Sequence, residues 1–305
     1  MFLNGNINKK ENNMRKVIFG FVLLIGLLTA CNNSGDSTPT NATVWKISKN
    51  GNSIFLAGSV HLLRPRDYPM PAAFDSAYGK SSMLVLEANV DKLFDRDMAE
   101  YLNEKSMLPE GQTLQTVLNE AVYKRLEGLI GAIALESLSQ YKPSILVNTL
   151  QTVFLQQSGF TENGADLYYM DKSKRDGKSI GFLEDVKIQI DMLSGMADGI
   201  ENEYVSDAID EFPHLANGVI TLVSEWKKGI ATTTETSLNA QKAQWPTIYE
   251  VMILNRNSAW IPEIETYLAT EPIEFVIVGM AHLYGPDGLL LQLRNMGYTI
   301  KQLVN

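Results

Sequence analysis

The chain has 305 residues and a formal charge of −9, from 26 basic and 35 acidic side chains. Residues 1–30 hold Lys9, Lys10, Arg15 and Lys16 against Glu11 alone, so the remainder carries −12, with 22 basic and 34 acidic residues. That acidity excludes a nucleic-acid binder and electrostatic docking on an anionic membrane, both of which need clustered Lys and Arg. With 45% hydrophobic residues, 20% charged and a single cysteine, the composition is globular and excludes a disulfide scaffold.

The N-terminus reads as an export signal. Met14-Arg15-Lys16 is basic, and Val17 to Ala30 then runs without a charge. That run is shorter than the roughly 20 apolar residues a membrane span needs, and it fits the apolar region of a secretory signal peptide. Leu28-Thr29-Ala30-Cys31 resembles the bacterial lipoprotein cleavage box, in which the cysteine is lipidated and becomes the first mature residue. Residues 1–30 are therefore expected to be a signal peptide, with Met14 giving a conventional length and Met1 to Asn13 an over-read start. Cys31 is the expected lipidation site. Asn32 to Ala42, rich in Asn, Ser, Thr and Gly, reads as a flexible tether. The expectation is an exported bacterial lipoprotein of the cell envelope, touching membrane only through its anchor. Asn32 after the cysteine favours the outer membrane by analogy with enteric sorting.

From residue 43 the pattern is that of an α/β domain. Val44 to Ser48 and Ser53 to Ala57 are β-prone runs around Lys49-Asn50-Gly51-Asn52, and Asn-Gly between such runs signals a hairpin. A Pro-punctuated loop (Pro65, Pro69, Pro71) leads to a helix over Ala72–Tyr78, then to a buried strand over Met83–Leu86 that ends at Glu87. Leu114, Val117, Leu118, Ala121, Val122, Leu126, Leu129 and Ile130 keep the spacing of an amphipathic helix. Another helix follows Pro143, and a further one over Ala165–Arg175 is stopped by Asp176-Gly177. A strand over Ser179–Leu183 ends at Glu184, and helices are expected near 185–194, 200–211, 215–228 and 236–268. The chain closes with a strand over Glu274–Val278, a helix over Asp287–Met296 and a strand over Tyr298–Leu303. The expected architecture is one α/β domain over 43–305: a mixed central sheet built by the N- and C-terminal parts, with a long helical insertion between them.

Two segments echo each other. Ile54-Phe55-Leu56-Ala57-Gly58-Ser59-Val60-His61-Leu62 matches Phe275-Val276-Ile277-Val278-Gly279-Met280-Ala281-His282-Leu283, both of the form four apolar residues, Gly, two small or apolar residues, His, Leu. Two of the three histidines thus follow a strand and a glycine, while His214 reads as a surface or capping residue. Ligands bind at the carboxyl ends of strands in open α/β sheets. His61, His282, Glu87 and Glu184 all follow strand-like runs, and one sheet edge that gathered them would have the mixed N/O character of a Zn²⁺, Mn²⁺ or Fe²⁺ site. Arg256 offers a planar fork for a carboxylate or phosphate, or is a solvated helix residue. Asp166 reads first as a helix-start residue. Trp226, Trp260 and Tyr267 read as core. The Walker, nucleophile-elbow, zincin-helix and Cys-x-x-Cys motifs are missing from the sequence.

Taken in order, Trp45-Lys46-Ile47, Leu56-Ala57-Gly58-Ser59-Val60-His61, Tyr68-Pro69-Met70-Pro71, Leu84-Val85-Leu86-Glu87, Gly164-Ala165-Asp166, Ile180-Gly181-Phe182-Leu183-Glu184, Asn255-Arg256-Asn257 and Val278-Gly279-Met280-Ala281-His282-Leu283 through Gly285-Pro286-Asp287-Gly288 resemble the TraB/GumN family, related to the Tiki metalloproteases. The resemblance covers roughly Val44 to Val304. It implies an α/β core with a helical insertion, and a metal-dependent catalytic set matching His61, His282 and Glu87. It also implies peptide cleavage with a divalent ion such as Mn²⁺ or Co²⁺, identified for Tiki-like members. On that reading Glu184, ahead of Asp166, is the expected general base, and Arg256 orients a carboxylate or stabilises an oxyanion. The alternative is binding without turnover, since related ChaN-like lipoproteins bind haem and TraB members shut down peptide pheromones.

Overall fold

The computed structural model describes residues 41–305. The expected signal peptide, Cys31 and most of the tether lie outside the described residues. No described helix is long and apolar enough to cross a membrane.

Among the described residues there are six strands, β1 (Asn41–Lys49), β2 (Asn52–Ser59), β3 (Met83–Leu86), β4 (Ser179–Phe182), β5 (Glu274–Gly279) and β6 (Thr299–Val304). They form one sheet in the order β4-β3-β5-β2-β1-β6. β1 pairs antiparallel with β2 and β6, whereas β2, β5, β3 and β4 run parallel. The sheet is mixed and draws its outer parallel strand, β4, from the middle of the sequence. Asn41 and Ala42, expected in the tether, belong to β1. Asn41 pairs with Val304, and the Gln302 amide donates to the Ala42 carbonyl, so the last strand extends the first. The β1–β2 turn is the two-residue Asn50-Gly51 loop, with φ of 55° and 93°. A tight hairpin whose twist matches its strands requires these positive values.

The chain divides into two compact units. One comprises 90–159 and 186–216 and is helical, with helices at Arg96–Ser106, Leu114–Val117, Glu120–Ile130, Ala132–Ser137, Pro143–Gln157 and Val186–Gly195. Polar ties within it include Tyr101 to Asp191 and Arg125 to Asp210, and Phe154 packs edge-on against Phe212. The single amphipathic helix expected over 114–130 is interrupted at Leu118-Asn119, because Asn119 caps a new helix through its side-chain oxygen on the Val122 N–H. The helix Glu201–Lys227 fuses the two segments expected near 200–211 and 215–228. It tolerates Pro213 in its interior, and His214 lies exposed on it.

The other unit holds the sheet, with 41–89, 160–185 and 217–305. Alternation along its strands gives the sheet two apolar faces. Ile54, Leu56, Val276 and Val278 cluster with Trp260, Ile264 and Leu268 of the helix Asn255–Leu268 and with Leu289 and Leu293 of the helix Leu289–Asn295. From the opposite face, Phe275 meets Phe74 and Tyr169, and Phe74 also meets Trp226. Burying both faces explains why β2 and β5 read as continuous apolar runs. The helix expected over 236–268 is broken at Trp245-Pro246 and again by a π-type turn at Glu250–Leu254. The turn immediately precedes Asn255-Arg256-Asn257.

Candidate functional site

The site follows from the register of the parallel strands. β2 and β5 are neighbours, with Gly58 opposite Val278 and Ser59 opposite Gly279. The two Gly-x-x-His segments therefore leave the sheet side by side, one residue out of step. β3 lies on the other side of β5, and β4 beyond it. Four parallel strands end at one edge, and the residues just past their ends are His61, His282, Glu87 and Glu184.

Gly279 forms the floor. A Cβ at Gly279 would lie 3.3 Å from Glu87 Oε1, 3.4 Å from His61 Nε2 and 3.6 Å from His282 Cδ2, so the three side chains converge over a position without one. The Gly279 N–H donates to Glu87 Oε1 at 2.6 Å, which ties the carboxylate to β5.

Each imidazole is held through Nδ1. His61 Nδ1 donates to Asp166 Oδ2 at 3.1 Å, since a carboxylate only accepts. Asp166 reaches it because Gly164, ahead of the helix Ala165–Asp176, packs on the His61 backbone; a Cβ at Gly164 would come within 2.5 Å of that backbone. Asp166 Oδ1 is buried with no hydrogen-bond partner. His282 Nδ1 lies 2.7 Å from Asn257 Oδ1, while the Asn257 amide donates to the carbonyl oxygens of His282 and Asp287. That amide orientation makes Nδ1 the donor and leaves the His282 lone pair on Nε2.

Arg256 links the remaining groups. Its Nη2 donates to Glu87 Oε2 at 2.5 Å and to Glu184 Oε1 at 2.7 Å, and its Nη1 meets His282 Nε2 at 3.0 Å. Glu184 Oε2 accepts the Trp260 indole N–H at 2.9 Å, and the guanidinium carbon sits 4.6 Å from the centroid of the Trp260 ring. Trp260, expected as plain core, is thus also the wall that backs Glu184 and Arg256. Asn257, Trp260 and Gly279 carry roles here that sequence reasoning did not assign. The adjacency of Asn257 to Arg256 and the glycine of the second motif were the available signals.

The electrostatics follow from these contacts. Burial opposes a charge on His61, but Asp166 and Glu87 outweigh it and raise the imidazole to about 9. Burial likewise works against ionised Glu87, yet Arg256 and the histidines hold it down at about 2. His282 is lowered to about 3 by burial and by the guanidinium beside it.

The profile of the TraB/PrgY/gumN family matches residues 43–302. The chain belongs to the TraB/PrgY/gumN family. No curated protein and no solved structure matches it. The TraB/PrgY/gumN match spans both Gly-x-x-His segments and every residue of the strand-edge cluster.

Among the described residues, no group of three or more His, Cys, Asp or Glu is arranged to hold a metal ion. His282 Nε2 meets Arg256, and its distance to Glu87 Oε1 is 4.0 Å. By residue type alone, two imidazoles and a carboxylate are ligands that divalent ions take. The two imidazoles, each held through Nδ1 with an oxygen acceptor behind the ring, and the low-pKa carboxylate meet over Gly279, with His61 Nε2 and Glu87 Oε1 turned toward it and His282 Nε2 turned to Arg256. With His61 protonated and His282 neutral, the carboxylates of Glu87, Glu184 and Asp166 against the Arg256 guanidinium leave the metal-free cluster at −1, and release of the His61 proton takes it to −2, the charge a divalent ion would neutralise.

Proposed function

We propose that this chain is an exported, lipid-anchored, divalent-metal-dependent hydrolase that acts on peptides. The observation that carries the reading is the convergence of His61, Glu87 and His282 over Gly279 with each imidazole fixed through Nδ1. His61, Glu87 and His282 would hold the ion, whether Mn, Co, Zn or Fe. Such an ion supplies Lewis acidity toward a scissile carbonyl and lowers the pKa of an attacking water. Asp166 and Asn257 orient the two imidazoles. Glu184 has both oxygens bonded to Arg256 or Trp260, so its role here is to hold the guanidinium rather than to transfer a proton. Arg256 in turn presents positive charge beside the reacting carbonyl, where it stabilises developing negative charge. Peptides are the substrates that the resemblance to Tiki proteases suggests, and Cys31 is the proposed anchor.

The test is metal content per chain, measured on the full chain purified in detergent without chelator, together with hydrolysis of a mixed peptide library. About one transition-metal ion per chain and metal-dependent cleavage, both lost in His61→Ala and in His282→Ala, are the expected results. Cleavage that persists in either variant, or a folded chain that takes up no Mn²⁺ or Zn²⁺, overturns the reading.

A further inference from the structure

Two of the three side chains that converge over Gly279 turn a polar atom to Arg256. Its Nη1 lies 3.0 Å from His282 Nε2, and its Nη2 lies 2.5 Å from Glu87 Oε2. His282 Nε2 has a single lone pair, because Nδ1 is committed to Asn257. A guanidinium N–H and a metal ion cannot share that lone pair. They are also both cations, so each raises the cost of placing the other a few ångströms away.

The guanidinium has a second set of partners. Nε lies 3.1 Å from Glu184 Oε1, Nη2 lies 2.7 Å from the same oxygen, and the Trp260 ring stacks beneath. Glu184 is fixed independently by the Trp260 indole. Arg256 therefore keeps Glu184 as a partner, through both Nε and Nη2, when it lets go of His282. The π-type turn Glu250–Leu254 lies directly before it, a departure from regular α-helical bonding of the kind that recurs at functional sites.

We propose that Arg256 competes with the divalent ion: it caps His282 Nε2 and Glu87 in the metal-free protein, and metal binding makes it withdraw from His282 while it stays on Glu184 and Trp260. The inference rests on the metal-dependent reading above. The cap compensates the buried carboxylates when no metal is bound, and it lowers the affinity the three donors would otherwise have.

The test is calorimetric titration of Mn²⁺ and of Zn²⁺ into the chelator-stripped full chain and into Arg256→Met and Arg256→Lys. Arg256→Met removes the competing charge and is expected to bind at least about tenfold more tightly than the unaltered chain, with a larger rise in Tm on metal addition. Arg256→Lys keeps the charge but cannot reach Glu184 and His282 through one planar fork, and is expected to fall between them. Equal or weaker binding by Arg256→Met overturns the inference and leaves the metal reading standing. Failure of both the unaltered chain and Arg256→Met to bind metal overturns both. If Arg256→Met does not fold, ¹⁵N-arginine spectra of the unaltered chain decide the matter. The Arg256 side-chain resonances are expected to move on stoichiometric Zn²⁺, and unchanged resonances in the metal-bound protein overturn the inference.

Discussion

Asn257 holds His282 from two directions: its side-chain oxygen takes the Nδ1–H at 2.7 Å, and its amide donates to the His282 carbonyl at 3.1 Å. One buried amide thus fixes the tautomer, the ring and the backbone of the histidine after β5. It also donates to the Asp287 carbonyl, which holds the following loop in place. Asn257→Ala strips these acceptors of their donor and leaves a polar hole. The expected loss is about 2–4 kcal/mol in denaturant unfolding, with metal affinity about ten- to a hundredfold weaker. Unchanged metal affinity in a folded variant would mean that the His282 orientation does not depend on Asn257.

Gly279→Ala separates the site from the fold. The backbone at Gly279 has φ −54°, which alanine adopts freely, and its N–H to Glu87 survives the change. The new methyl stands 3.3 Å from Glu87 Oε1 and 3.4 Å from His61 Nε2, so these groups must move apart by a few tenths of an ångström. A stability change below about 1 kcal/mol is expected. Metal binding and peptide cleavage are expected to fall at least about tenfold, as read by titration and turnover. A large unfolding shift with intact binding would contradict this division.

Much of this arrangement was legible in the chain itself. The hairpin at Asn50-Gly51, the strands before Glu87 and Glu184 and the echo between the two Gly-x-x-His segments are local patterns, and local physics sets them. The repeat also foreshadowed adjacency, since β2 and β5 share a register that brings His61 and His282 out together. Three features were not legible. The division into two units depends on which long-range contacts close. The break at Leu118-Asn119 depends on a cap competing with an otherwise continuous apolar stripe. The partners of Glu184, expected as the general base, come from residues more than seventy positions away, and no spacing rule reports them.

Gly164 lets Asp166 come close to His61. The segment before the helix Ala165–Asp176 lies on the backbone of Val60 and His61, and the Ala165 N–H donates to the Val60 carbonyl at 3.2 Å. In Gly164→Ala the added methyl meets backbone, which cannot rotate aside. The segment must lift, at an expected cost of about 1–3 kcal/mol. Asp166 lifts with it, so the His61 imidazole is expected to titrate closer to the ordinary histidine range, followed by the ring-proton shifts of the metal-free chain. A histidine titration that stays high would show that Asp166 reaches His61 without this close approach.

The pH dependence of the metal-free protein isolates the same histidine. His61 is raised to about 9, while an unfolded histidine titrates near 6.5. A group whose folded pKa is raised contributes stability that is fully present below its unfolded value. That stability is lost as pH rises through the folded one. For His61 the window is therefore about 6.5 to 9. His282 and Glu87 are shifted the other way, to about 3 and about 2, so their contributions change at lower pH and leave this window to His61. The chelator-stripped chain is expected to lose up to about 3 kcal/mol of unfolding free energy between pH 6.5 and 9, measured by denaturant titration at fixed ionic strength. His61→Gln is expected to flatten the slope, because an amide has no proton to release. A slope that survives His61→Gln would assign the proton to another group and remove the ion-pair partner proposed for Asp166.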